Sequence, residues 1–310
     1  MKRITIGLIS AVFLCLRAQA QDPKLPATNL GLSNMQDGRP PGTGLYFQQY
    51  IQLYSASQTY DDKGNKLAAG GTSSSMLSLS QLIYISKVKV AGGNLGWTVL
   101  VPLVKITAYD PANTPIAVNP NPMGDIITGP FIQWFNRKVA GMPLDHRFEM
   151  DVVVPAGAWQ SNYDINPSAH FYSITPHYTF TLSPAKRFSI SSRQMLTYNF
   201  NEIGTDVKAG AFYNANYSLE YEMLPRFRAE IAGYYLKQFD QDSKGGNSNF
   251  YQDTYGITDT RERVFAVGPG LGYVTPTGLF IEVKNMWETA AQNRTQGYRA
   301  TLVLAYKLDK

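Results

Sequence analysis

Residues 211–223 read AFYNANYSLEYEM, with Ala211, Tyr213, Ala215, Tyr217, Leu219, Tyr221 and Met223 at every second position and Asn214, Asn216, Ser218, Glu220 and Glu222 between them. Only Phe212 breaks this two-residue period, which is that of a strand with one apolar and one polar face. Wound as a helix at about 100° per residue, the stretch would put Glu222 between Ala211 and Ala215 and leave no apolar stripe. The decision that follows is whether the apolar face looks at a protein core or at lipid.

Working outward, similar segments recur along the chain. They are expected over residues 44–54, 76–86, 95–107, 125–135, 146–154, 171–182, 188–200, 211–223, 227–239, 264–274, 279–287 and 298–308. That makes about twelve strands, each near the ~9–11 residues that cross a bilayer at a tilt. The connections after the first, third, fifth, seventh, ninth and eleventh are expected to be longer and polar, including residues 288–296 after the eleventh, and the others mostly short. The longest connection, residues 240–261, is read as polar loop, and no helix or second domain is expected. Alternating short turns and long loops is the pattern of an up-and-down barrel of the outer membrane. The fold expected is therefore all-β: a single antiparallel transmembrane β-barrel over residues 43–310.

The N-terminus agrees with export. Met1-Lys2-Arg3, an apolar run over residues 4–16 and Ala18-Gln19-Ala20 form a basic start, a hydrophobic segment and a small-residue cleavage pattern, so residues 1–20 are expected to be a signal peptide. Residues 21–42 are rich in Pro, Asn and Gly without a period, and are expected to form an irregular arm, periplasmic or lumenal. Cys15 is the single cysteine, so a mature chain would have no disulfide and no thiolate metal site. The leader holds Lys2, Arg3 and Arg17 and no acid, so 25 of the 28 basic side chains remain against 23 acidic ones, a net of +2. Nucleic-acid binding is not indicated. No second apolar run reaches the 18 or so residues of a membrane helix.

Charged residues collect on the face opposite the apolar one. Lys or Arg on the lipid face at mid-membrane would cost ~2–4 kcal/mol. Arg147, Glu149, Asp151, His177, Glu220, Glu222, Arg228, Glu230, Glu282, Lys284 and Arg299 are therefore expected to line the lumen. Glu220 and Glu222 would lie beside Arg228 and Glu230, and Glu282 and Lys284 beside Arg299. They could neutralise one another in a packed interior, or form a mixed-sign constriction that filters solutes. Tyr298, Ala300, Leu302, Leu304 and Tyr306 would face lipid, with aromatics at both ends. Two segments fit less well: residues 125–135 are apolar on both sides, and Gln194 falls on an apolar face.

The segment Gly124-Asp125-Ile126-Ile127, running into Gly129-Pro130 and Trp134 and followed by Val152-Val153-Val154-Pro155-Ala156-Gly157-Ala158-Trp159 and Asn166, resembles the family of the MetA pathway of phenol degradation. The likeness covers most of the chain, including Gly233-Tyr234-Tyr235. It implies an outer-membrane barrel of a Gram-negative bacterium, found with genes for aromatic catabolism and admitting hydrophobic substrates.

Covalent chemistry is not indicated. His146, His170 and His177 show no HExxH or comparable metal spacing. His177 lies among Ser173, Thr175 and Thr179, but barrel alternation explains that row without a hydrolase triad. Gly268-Pro269-Gly270-Leu271-Gly272 lacks the GK[ST] of a phosphate loop, and alternate glycines on a strand mark a bend or a close approach inside a barrel. The expectation is a channel without cofactor or metal that passes small hydrophobic or aromatic solutes. Lipid and the outer-membrane assembly machinery would be its partners. The alternative is a structural or surface-interaction barrel whose lumen is closed, by loops or by the arm.

Overall fold

The computed structural model describes residues 25–26, 28–68, 70–110 and 115–309; the leader expected over residues 1–20 lies outside them. The elements in chain order are β1 (Gly44–Thr59), β2 (Thr72–Val90), β3 (Gly93–Tyr109), β4 (Ile126–Val139), β5 (Met142–Val154), β6 (Ser173–Ala185), β7 (Phe188–Asn199), β8 (Val207–Lys208), β9 (Phe212–Leu224), β10 (Phe227–Gln238), β11 (Ser243–Lys244), α1 (Phe250–Tyr255), β12 (Arg263–Val274), β13 (Phe280–Gln292) and β14 (Thr295–Lys307). Twelve strands close one antiparallel barrel with β1 against β14, and β8 and β11 pair with each other in the loops.

The strands are longer than the period alone defines, because several run past the bilayer into ordered hairpins. Residues 288–296 are not a loop. β13 continues to Gln292 and a two-residue turn, Asn293-Arg294, leads into β14. Glu288 keeps the inward alternation of Lys284 and Met286, and Ala291 is buried beyond an irregularity at Ala290 (φ 55°) that shifts the register with β12. At the opposite end, Ala91-Gly92 and Ala140-Gly141 have positive φ at both positions (48° and 75°, 48° and 79°), the left-handed pair that matches a two-residue hairpin to strand twist. The long loop before β12 also holds α1, a short helix that no apolar period foreshadows.

Side chains sort as a barrel requires. On β9, Leu219, Tyr221 and Met223 are 46%, 50% and 49% exposed while Glu220 between them is fully buried. Phe212 points inward and is buried with the lumenal residues Leu236 and Val264. β4 is apolar on both sides because its inward Phe131 packs with Tyr46, Ile83 and Ile85 inside the barrel. Gln194 does face outward, where it accepts from the Tyr213 hydroxyl and donates to Ser192 Oγ at 2.5 Å, so its amide is satisfied within the wall. Gln49, Ser78 and Ser80 form a similar bonded group on the outer face of β1 and β2.

The lumen is filled. Residues 28–43 run through it to β1, with Leu30, Leu32 and Met35 buried. Leu30 packs with Phe212, Tyr234, Leu236 and Met286. Leu32 packs with Tyr50, Leu79 and Val303. Tyr46, Tyr50, Tyr54 and Tyr234 are thus lumenal, whereas tyrosines such as Tyr221 face lipid. On β12, a Cβ at Gly270 would meet Glu230 Oε1 at 2.3 Å and one at Gly272 would meet Met35 Sδ at 2.3 Å. The bare side of β12 is what admits the arm.

Candidate functional site

An irregular segment inside a barrel must find partners for its own backbone, because no ladder satisfies its N–H and C=O groups. The lumenal side chains supply them. Asn216 Oδ1 accepts from Gly31 N at 2.9 Å, and Glu220 Oε1 from Gln36 N at 2.9 Å. Thr181 Oγ1 accepts from Gly38 N at 3.0 Å. Lys284 Nζ donates to Leu32 O at 3.0 Å, Gln52 Nε2 to Leu30 O at 3.1 Å and Gln133 Nε2 to Gly38 O at 3.0 Å. Asn34 returns the favour, its amide donating to the carbonyls of Tyr217 and Gly233. Near the short-turn end, Arg39 Nε donates to Asp145 Oδ2 at 2.5 Å.

At the middle of this run Asp37 sits between two arginines. Arg193 donates to it twice, Nε to Oδ2 at 2.8 Å and Nη2 to Oδ1 at 2.7 Å, and Arg147 Nη2 lies 3.9 Å from Oδ1. Burial works to raise the Asp37 carboxyl, but the Arg193 charge and hydrogen bonds, with Arg147 behind them, hold it below the usual 3.8. Arg147 Nη1 also lies 3.5 Å from Glu149 Oε2, and His177 Nε2 lies 3.6 Å from that oxygen and 3.1 Å from Asp151 Oδ2.

The remaining charges divide into four groups. Arg228 pairs with Glu222 at 2.8 Å, as the hairpin register between β9 and β10 dictates. Among the described residues Glu220 has no guanidinium partner; it accepts from Ser189, Ser191 and the Gln36 amide, while Ser218 donates to Glu230 at 2.5 Å. Lys284 pairs with Glu282 two residues away at 2.5 Å, not with the Arg299 group expected beside it. Arg299 instead stacks on Tyr54, 4.1 Å from the ring centre, and lies 3.7 Å from Glu288, which also accepts from the Tyr54 and Tyr234 hydroxyls. The register explains the difference: Arg299 stands opposite Met286, two residues above Lys284 on β13.

Asp37, Arg193 and Glu288 were outside the expected lumenal set. Arg193 continues the alternation of Ser189 and Ser191 and was legible from the period. Asp37 lies in an aperiodic arm, and Glu288 in a stretch whose polarity reads as loop.

With the arm in place the cavity between Leu32, Leu100, Ile127, Glu149, Asp151 and Arg193 holds about 50 Å³. That is room for a few waters, and is well below the ~150 Å³ known to accept a benzene ring. A second hollow of about 590 Å³, at Pro40, Pro41, Phe135 and Pro143, opens at the short-turn end. The wall itself is uneven. β3 pairs with β2 as far as Tyr109, but with β4 only over Asn94–Leu100 against Ile127–Gln133. Beyond Leu100 the β3 edge meets the loop that leads into β4 instead, through the Leu103–Met123 bridge and the Val104 N to Pro122 O bond at 2.7 Å.

Residues 56–304 match the family described as "Putative MetA-pathway of phenol degradation". The chain belongs to this family. Among solved structures, the COG4313 outer membrane channel from Pseudomonas putida F1 superposes with a TM-score of 0.71 at 12% identity, over 86% of this chain and 96% of that one. The KdgM porin overlaps more loosely (TM-score 0.38, 10% identity, 84% and 99% of the two chains), as does the TodX deltaS2S3 mutant monoaromatic hydrocarbon channel (0.41, 7%, 88% and 92%), and these two add nothing about this chain. No curated protein matches the sequence. This MetA-pathway family member is thus an outer-membrane β-barrel of a Gram-negative bacterium, with its outward residues against lipid.

Proposed function

We propose that the protein is an outer-membrane channel for small hydrophobic or aromatic solutes, closed at rest by its own residues 28–43. The observation that carries this reading is the apolar side of the lumen. Leu79, Leu100, Ile127 and Val153 line the cavity on the side of β2 to β5, next to the place where β4 leaves β3. A solute entering from the loop end would meet an apolar strip on that side and the charged residues of β7, β9 and β10 across the lumen. It could then follow the strip past a displaced arm, or leave sideways through the short β3–β4 contact. The charges opposite would hold water and disfavour desolvating an ionic solute. Insertion would rest on the outer-membrane assembly machinery.

The direct test is permeability. Liposomes carrying the purified full chain should take up small aromatic solutes faster than empty vesicles; equal rates for every member of a solute panel sink the reading.

The number of arm-to-lumen bonds favours a second reading, a barrel whose lumen stays closed and whose role is structural. Deleting residues 25–42 separates the two. Transport of aromatic solutes by the intact chain supports the channel, whereas conductance arising only in the deletion supports the closed barrel.

A further inference from the structure

Beneath the arm, Glu149, Asp151 and His177 present three ligand atoms within 4.8 Å of one another, all on buried side chains. The backbone explains the cluster. Glu149 and Asp151 are alternate residues on the inner face of β5, and His177 stands opposite Glu149 on β6. Glu149 Oε2 is buried and makes no hydrogen bond, although it points at His177 Nε2 3.6 Å away. Asp151 Oδ2 lies 3.1 Å from the same nitrogen. One N–H can be directed at only one of two carboxylates, and with the proton toward Asp151, Glu149 Oε2 keeps only the Arg147 charge 3.5 Å away, without a hydrogen bond. A cation at ~2.0–2.1 Å from each ligand needs ligand atoms roughly 3.3 Å apart; the two distances to His177 Nε2 lie on either side of that, and the two carboxylate oxygens lie within 4.8 Å of each other.

Charge balance points the same way. The packed group comprises Asp37, Glu149 and Asp151 against Arg147 and Arg193, one negative charge in excess while His177 is neutral. A buried excess charge calls for a counter-charge, and a dication carrying one bound hydroxide supplies a single net positive charge. Glu149 and Asp151 also line the 50 Å³ cavity, which has space for waters on a metal's open positions.

We propose that Glu149, Asp151 and His177 bind one divalent transition-metal cation of the zinc class, one imidazole nitrogen and two carboxylate oxygens being a donor set that such ions accept. The bound ion would tie β5 to β6 next to the Asp37 seat. This stands apart from the transport reading and can fail or hold without it.

The test uses the full chain, purified without a histidine tag, folded in detergent, stripped with EDTA and titrated with Zn²⁺ by calorimetry. Bound metal is counted after desalting. We expect one equivalent, and a tenfold or greater loss of affinity in His177→Gln. His146→Gln and His170→Gln should bind as the parent does, since those rings stack on Trp134 and Trp159 elsewhere. Heat-modifiable mobility on a gel reports folding; if His177→Gln fails it, Asp151→Asn takes its place with the same expectation. No retained metal in the parent, or equal affinity in the folded variant, overturns the site and leaves a proton held within the Glu149, Asp151 and His177 group as the counter-charge.

Discussion

Arg193 holds Asp37 by two hydrogen bonds of 2.8 and 2.7 Å, so a residue of β7 fixes the arm near the middle of the lumen. Removing one member of a buried pair leaves the other uncompensated, at a cost of about 3–5 kcal/mol. Asp37→Asn should therefore shift the docked-to-free ratio of the arm by roughly a hundredfold or more. The measurement is single-channel conductance in planar bilayers, where the parent should be mostly closed and the variant frequently open. Indistinguishable traces would remove Asp37 from the closing device.

The same pair sets the response to acid. Asp37 has its carboxyl held below 3.8 when the arm is docked. A lowered value means that the docking contribution is fully present above the free carboxyl's range and is lost as pH falls through the lowered value. Conductance should be flat from pH 8 to about 4 and rise only below 3.8. A rise near pH 6 would assign the gate to another group.

Gly272 makes room for Met35, whose Sδ would lie 2.3 Å from an added Cβ. Gly272→Val should push the arm aside and increase solute leak while heat-modifiable mobility shows an intact barrel. Met35→Ala in the same chain should restore closure, since it removes the atoms that collide. Failure of that rescue would mean that the valine acts on the wall and not on the arm.

Arg299 and Glu288 form a buried centre with Tyr54 and Tyr234 at the loop end. Arg299→Met leaves Glu288 with its hydrogen bonds from Tyr54, Tyr234 and Gly297 N but with Arg294, 4.0 Å away, as its counter-charge, and should cost about 3 kcal/mol or more. The temperature at which the folded gel band disappears should drop clearly below the parent's. An unchanged temperature would show that Arg294 suffices.

Leu219 tests the outer face, being 46% exposed beside the buried Glu220. Leu219→Arg should destabilise insertion by ~2–4 kcal/mol near mid-membrane, read as a lower folded yield into vesicles, while Leu219→Phe should not.

The two-residue period was enough to read the barrel, its lipid face and the inward direction of Glu220, Arg147 and Lys284, because alternation is a local property of a strand. Partner choice was less legible. Glu222 and Arg228 meet because a tight turn joins their strands, whereas Arg299 meets Glu288 through a ladder that extends beyond the apolar period. The contents of the lumen were hidden for a different reason. Residues 28–43 have no repeat, and their places come from scattered partners such as Asn216, Thr181 and Lys284 on distant strands. The meeting of Glu149 with His177 is likewise a matter of register, and leaves no spacing along the chain.

Because the arm continues without a break into β1 at Gly44, it cannot be diluted away from the lumen. A tethered ligand acts at an effective concentration on the order of millimolar, whatever the amount of protein in the membrane. A solute that displaces it competes against that constant local supply, so opening would track the solute's own concentration and affinity and not the density of barrels.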